Sequence, residues 1–258
     1  MLVSPRPGPQ QPQLLKAGNM VPHVACHDGT RVLGAPVWEF VDQHRVCSRI
    51  QIMCQIFEGL AKEGLAEGDV PTPPLVPDLA TSWEVSPDGL QHTFKLCPGV
   101  KCHDGAPFDA AAVRFNFERF RDKSSPNHYP KAASFVVAHT KWIKGMEVLD
   151  PTTVRTTLTA PNYEWLRQGL QSYGQPLMVS PAAVEACGSE GIALHPIGTG
   201  PFRFVERQQG VRTVLERNPD YWGRKAKLDR VILRPSQDPA TRVNALSCGP
   251  AGALAQPV

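Results

Sequence analysis

Eight histidines and seven cysteines are the residues of this 258-residue chain best suited to catalysis or metal binding, and their spacing argues against both. The cysteines (Cys26, Cys47, Cys54, Cys97, Cys102, Cys187 and Cys248) are odd in number and contain no C-x-x-C pair, so no structural zinc site is expected. Free thiols are the expectation, and sequence leaves open whether Cys97 and Cys102 pair. Cys187-Gly188-Ser189-Glu190-Gly191 is not the G-x-S-x-G of a nucleophile elbow. Gly198-Thr199-Gly200 runs into Pro201 instead of a dinucleotide-binding loop, and neither a P-loop nor H-E-x-x-H occurs. His103, beside Asp104 and Gly105, reads as a turn residue and not a general base. No catalytic residue and no metal ligand is assigned, no cofactor is expected, and the chain is read as a non-enzyme.

Composition narrows the remaining classes. Hydrophobic residues make up 41% and charged residues 20%, as in an ordinary globular protein. The net charge is +3 with no Lys/Arg run, so nucleic acid is not an expected partner. No run of about 18 apolar residues is present to span a bilayer. The opening MLVSPRPGPQQPQLLKAGNM lacks the apolar core of a secretory signal.

The elements read as short and sharply punctuated, with 26 prolines many of which fall at segment borders. Residues 1–35 read as a poorly ordered Pro/Gly/Gln leader, with structure expected from about Val37. Met53, Ile56, Phe57 and Leu60 share a helical face, predicting a helix over 48–60. Strand patterns flank Pro87-Asp88-Gly89, predicting a hairpin, and another is expected over 143–158. Asp109 caps a helix with Val113, Phe117 and Phe120 on its buried face. A short helix is expected over 163–170 and another after Ser180-Pro181. Strands are expected at 201–205, 213–215 and 231–233, and a helix start at Asp238-Pro239. The tally is an α+β chain.

Two long blocks carry a resemblance. PDLATSWEVSPDGLQHTFKLCPGVKCHDGAPFDAAAVRFNFERF (77–120) resembles the signature region of family-5 extracytoplasmic solute-binding proteins. HPIGTGPFRFVERQQGVRTVLERNPDYWGRKAKLDRVILRPSQDPATRVNAL (195–246) carries that family's Gly-Thr-Gly-Pro-Phe strand start, its Arg-Asn-Pro-x-Tyr-Trp loop and its Asp-Pro-x-Thr-Arg helix start. The chain departs from the family at Cys97, where arginine is usual, and at Cys102, where phenylalanine is usual. The resemblance implies a type II periplasmic-binding-protein clamshell, α+β to α/β, with only the N-terminal lobe region present. The implied division is the leader 1–35, the N-terminal part of the family-5 domain over 36–246, and an atypical tail over 247–258 with the second lobe missing.

The resemblance also implies a role. It is the substrate-binding subunit of an ABC importer, capturing a peptide or similar small solute without transforming it. The implied partners are that ligand and an ABC permease and ATPase complex at the membrane, with a monomeric binding subunit in a periplasmic or extracytoplasmic setting. Three segments are expected near the cleft: 42–45 with His44 and Arg45, 126–129 with His128 and Tyr129, and 173–176 with Tyr173 and Gln175. Arg45 would pair with an anionic group, and Tyr129 or Tyr173 would stack on the ligand. Nickel-chelate binding is an alternative, weakened by Gly174, Pro126 and Tyr129 where nickel-type members carry arginine or tryptophan. A truncated, non-binding remnant or interaction module is the other alternative.

Overall fold

The computed structural model describes residues 30–33, 53–64, 74–167 and 176–234. The readings for the rest of the leader, for Cys26, Cys47 and Cys248, for the Asp238 helix start and for the tail lie outside the described residues. In chain order the strands are β1 (Thr30–Leu33), β2 (Ala61–Glu63), β3 (Leu75–Pro77), β4 (Ala80–Val85), β5 (Gln91–Leu96), β6 (Ile143–Asp150), β7 (Thr153–Leu158), β8 (Phe202–Gln208), β9 (Arg212–Arg217) and β10 (Arg230–Leu233). The helices are α1 (Ala110–Arg121), α2 (Pro130–Thr140) and α3 (Pro181–Leu194).

Local chemistry accounts for the first sheet, ordered β4-β5-β7-β6 and antiparallel throughout. At the β4–β5 turn, Asp88 Oδ1 accepts from Ser86 Oγ at 2.5 Å and from the Leu90 amide at 3.0 Å. Gly89 supplies the left-handed residue of that turn at φ 68°. Strand alternation then turns His92, Phe94 and Leu96 inward, with Trp83 paired opposite Phe94. Helix α1 starts where Asp109 Oδ1 accepts from the Ala112 amide at 2.9 Å. It lays Val113, Phe117 and Phe120 into the core.

Trp165 lies fully buried at the centre of this core. The His139 ring stacks on it at 4.3 Å and 11°, the His92 ring meets it edge-on at 5.1 Å, and its Nε1–H donates to the His139 carbonyl at 3.1 Å. His139 Nδ1 finds no partner, and burial with His92 nearby pushes the His139 pKa down to about 3.

The second sheet runs β1-β10-β9-β8, with β1 parallel to β10 and the other pairs antiparallel. Its inner face presents Phe202, Leu215, Val231 and Leu233 to Val184 and Ile192 of α3 and to Ile56 and Phe57. Ser180 caps α3 by accepting from the Ala183 amide at 3.3 Å, with Pro181 in the first turn. Gly188, at φ 69°, breaks that helix into two pieces. Asn116 of α1 ties the two cores together. Its Nδ2 donates to the Val179 carbonyl at 2.9 Å, and its Oδ1 accepts from the Val179 amide at 3.0 Å.

Three expectations change. The helix expected over 48–60 is helical over 53–56 among the described residues, and the chain then extends towards β2. The Ile56 carbonyl that Leu60 would bond in a continuing helix is taken by the Gly200 amide at 2.9 Å, and the Gly59 amide goes to Asp78 Oδ2 at 3.2 Å, so the helical ladder stops. Helix over 163–170 appears at 165–167, with 168–175 outside the described residues. Strand β1 falls before Val37, inside the stretch that composition alone leaves without structure. Helix α2 and the β2–β3 pair had no counterpart in the sequence reading.

Candidate functional site

A buried carboxylate joins three segments that are far apart in sequence. Glu58, 5% exposed, follows the 53–56 helical turn. Its Oε2 accepts from Thr199 Oγ1 at 2.8 Å and from Trp222 Nε1 at 2.9 Å, and its Oε1 accepts from Tyr221 Oη at 2.5 Å. Thr199 belongs to the Gly-Thr-Gly-Pro-Phe strand start, and Tyr221 and Trp222 to the Arg-Asn-Pro-x-Tyr-Trp loop. Burial, with the Asp78 carboxylate nearby, raises the Glu58 pKa to about 7 against the pull of its three donors. Asp78 is itself held by the Gly59 amide at 3.2 Å and by Lys62 Nζ at 2.8 Å.

The chain bends over 199–201, and the glycines on either side of Thr199 also leave room for a second backbone. A Cβ on Gly198 would lie 2.2 Å from the Ile56 carbonyl oxygen, and one on Gly200 2.6 Å from that of Gln55. The Gly200 amide donates to the Ile56 carbonyl at 2.9 Å, so the two backbones are in direct contact. On the other side, His103 accepts at Nδ1 from the Gly198 amide at 3.4 Å and donates from Nε2 to the Gly200 carbonyl at 2.9 Å. That pattern requires a neutral ring, and burial lowers the His103 pKa accordingly. Gly200→Ala is expected to cost about 1–3 kcal/mol by overpacking. Gly145→Ala, where a Cβ meets nothing within 4 Å, is the matched control. Thermal melts of the two variants are the check; equal melting temperatures would refute the close-approach account.

Of the six residues expected near ligand, His44, Arg45, Tyr173 and Gln175 lie outside the described residues. His128 and Tyr129 sit together at the junction of α1 and α2. His128 Nδ1 lies 3.1 Å from the Arg119 carbonyl oxygen, and the Tyr129 amide donates to that same oxygen at 3.0 Å. Tyr129 is the N-cap residue of α2, half-buried, with the Arg119 guanidinium 5.8 Å from its ring centroid.

Glu58 and Arg119 are the residues that sequence reasoning missed. Glu58 was visible as a carboxylate inside an apolar helical pattern, and Arg119 as a cation between Phe117 and Phe120 on α1. Ser180 Oγ donates to Asp104 Oδ2 at 2.6 Å and caps α3, so its hydroxyl is committed to structure. Cys54, Cys97, Cys102 and Cys187 are free thiols, and burial raises the Cys102 pKa to about 12. Among the described residues no cluster of three His, Cys, Asp or Glu side chains is placed to hold a metal ion, and no helix is long and apolar enough to cross a membrane.

The paired sheets and their helices have the fold of a type II periplasmic binding protein. The model of the family "bacterial extracellular solute-binding proteins, family 5 Middle" matches residues 74–256, and the chain belongs to that family. A glutathione-binding protein, GsiB, of Pectobacterium atrosepticum is 39% identical over 180 residues, covering 69% of this chain and 33% of the relative. The ABC transporter-associated periplasmic binding protein DppA of Helicobacter pylori, solved with the peptide STSA, superposes with a TM-score of 0.72 at 29% identity, covering 88% of this chain and 46% of that one. NikZ of Campylobacter jejuni, solved with Ni(L-His), gives 0.70 at 26% identity, covering 87% and 42%. The chain therefore spans about a third of the length of the curated relative and less than half of the two solved proteins.

Proposed function

We propose that this chain is part of the solute-capturing subunit of an ABC-type importer, binding a peptide or a similar small solute outside the cytoplasm and delivering it to a membrane permease and its ATPase. The observation that carries the reading is the Glu58 hub. The strand-start and Tyr-Trp motifs of the family meet there on one buried carboxylate, so the motifs act as a working unit of the fold. The task is capture and release, in which differential affinity between two conformations does the work and no covalent step occurs. His44, Arg45, His128, Tyr129, Tyr173 and Gln175 are the proposed ligand-facing residues, and the subunit is expected to act as a monomer. A nickel chelate is the second reading, favoured by the likeness to NikZ and opposed by Gly174 and Tyr129 at positions where nickel-type members carry arginine or tryptophan.

A thermal-shift screen of the purified chain against dipeptides, tripeptides, glutathione and Ni(L-His) tests both readings. A ligand at a hundred times its Kd stabilises by about 2.7 kcal/mol, which is readily measured. Stabilisation by peptides or glutathione alone supports the first reading, and stabilisation by the nickel complex alone supports the second. A flat response to every ligand would overturn both.

A further inference from the structure

Among the described residues, Arg119 is a buried cation that faces no carboxylate. The residue is 3% exposed. Its Nη2 donates to Ser189 Oγ at 2.9 Å, and its Nε meets no acceptor. The guanidinium lies over two rings, 5.2 Å from the Phe120 centroid and 5.8 Å from that of Tyr129. Aromatic faces offset part of the lost hydration, but a guanidinium out of water ordinarily requires an anion. Desolvation already holds its pKa down at about 10.

What this guanidinium stacks on is the start of a helix. Tyr129 is the N-cap residue of α2 and makes no side-chain capping bond. Pro130 has no N–H, and because Tyr129 makes no capping bond the first-turn amides of Lys131 and Ala132 have no side-chain cap from it. Those amides and the helix dipole favour negative charge at this end. The opposing charge is Glu190, which is exposed and engaged by Lys131 Nζ at 2.8 Å. The break in α3 at Gly188 brings Ser189 to the guanidinium, and Tyr129 and Ser189 are both only half-buried, so the junction borders solvent.

We propose that the junction of the α1 C-terminus, the α2 N-terminus and Ser189 is an anion site that takes a single carboxylate or phosphate group, with Arg119 supplying the charge and the α2 amides the orienting donors. If the solute is a peptide, the group bound is one of its carboxylates; that assignment rests on the solute-capture reading, whereas the anion site itself does not.

The experiment titrates the purified chain with acetate, inorganic phosphate and glutathione, and follows melting temperature and binding heat for the wild type and Arg119→Met. At least one of the three anions is expected to stabilise the wild type, and Arg119→Met is expected to weaken that binding about tenfold or more, the usual worth of a hydrogen-bonded charge. Without anion, Arg119→Met is expected to melt at the same temperature or higher, because it removes an unpaired buried charge. A variant that melts lower, with a wild type indifferent to all three anions, would make Arg119 a purely structural cation and overturn the proposal. Should Arg119→Met fail to fold, Arg119→Lys keeps the charge and loses the planar fork; undiminished anion affinity in that variant would equally overturn it. Phosphate binding lost in Arg119→Met, with no response to glutathione, upholds the site and removes the peptide assignment. Glutathione binding unchanged in Arg119→Met upholds solute capture and removes this site.

Discussion

Glu58→Leu is expected to lower stability by about 3–6 kcal/mol, a large share of the roughly 5–15 kcal/mol that holds a typical domain. The substitution keeps much of the volume and removes the acceptor of three donors at once. Thr199 is fully buried and cannot recover its bond from water; Tyr221 and Trp222 are partly exposed and recover some. Each buried donor left unpaired costs about 1–3 kcal/mol, and rehydration of two of the three keeps the sum in the lower half of the combined range. Glu58→Gln retains one acceptor oxygen and presents an amide where a donor already points, so an intermediate loss is expected. Urea denaturation of the three proteins is the measurement. A loss below about 1 kcal/mol for Glu58→Leu would show that the three segments are held by packing alone.

Trp165→Ala is expected to cost about 3–5 kcal/mol, in the range for large aromatic truncation in a core. The side chain fills the space between His92, Phe94, Phe117 and His139, and its removal also leaves the His139 carbonyl without its donor. Trp165→Phe keeps most of the packing and loses the hydrogen bond, for an expected cost of about 1–2 kcal/mol. The same cluster sets an acid limit. His139 has a folded-state pKa near 3, below its ordinary value of 6.5, so below 6.5 the unfolded chain binds the proton that the folded chain refuses. Stability from this residue is therefore complete above about pH 6.5 and is lost as pH falls towards 3. His92, the titratable group facing His139 across Trp165, shifts in the same direction through its own burial and adds to the loss. Unfolding free energies between pH 4 and 7 should fall less steeply with acid in His139→Phe than in the wild type. Parallel curves would show that His139 is protonated at no cost in the folded state.

The local punctuation was legible in the sequence. Pro87-Asp88-Gly89 placed the β4–β5 hairpin, Asp109 placed the start of α1, and Ser180-Pro181 placed the start of α3, because each of these residues sets backbone angles or caps amides within a few positions of itself. The strand patterns flanking that turn fall in β4 and β5, while the burial of Phe94 and Leu96 was settled by packing. The two motif blocks identified the family by themselves.

Tertiary structure alone decided what depends on partners distant in sequence. The helix expected to reach Leu60 stops early because Gly200 takes the Ile56 carbonyl and Asp78 the Gly59 amide, which no periodicity within 48–60 encodes. The need for glycine at 198 and 200 also comes from afar, from the backbone of Gln55 and Ile56 pressed against them. Glu58 takes its role from Thr199, Tyr221 and Trp222, which arrive from more than a hundred residues away, and Arg119 is buried only once α2 and α3 close over it. Sequence fixes the conformations a segment prefers on its own, whereas the burial of a charge and the identity of its partner exist only once separate segments have packed.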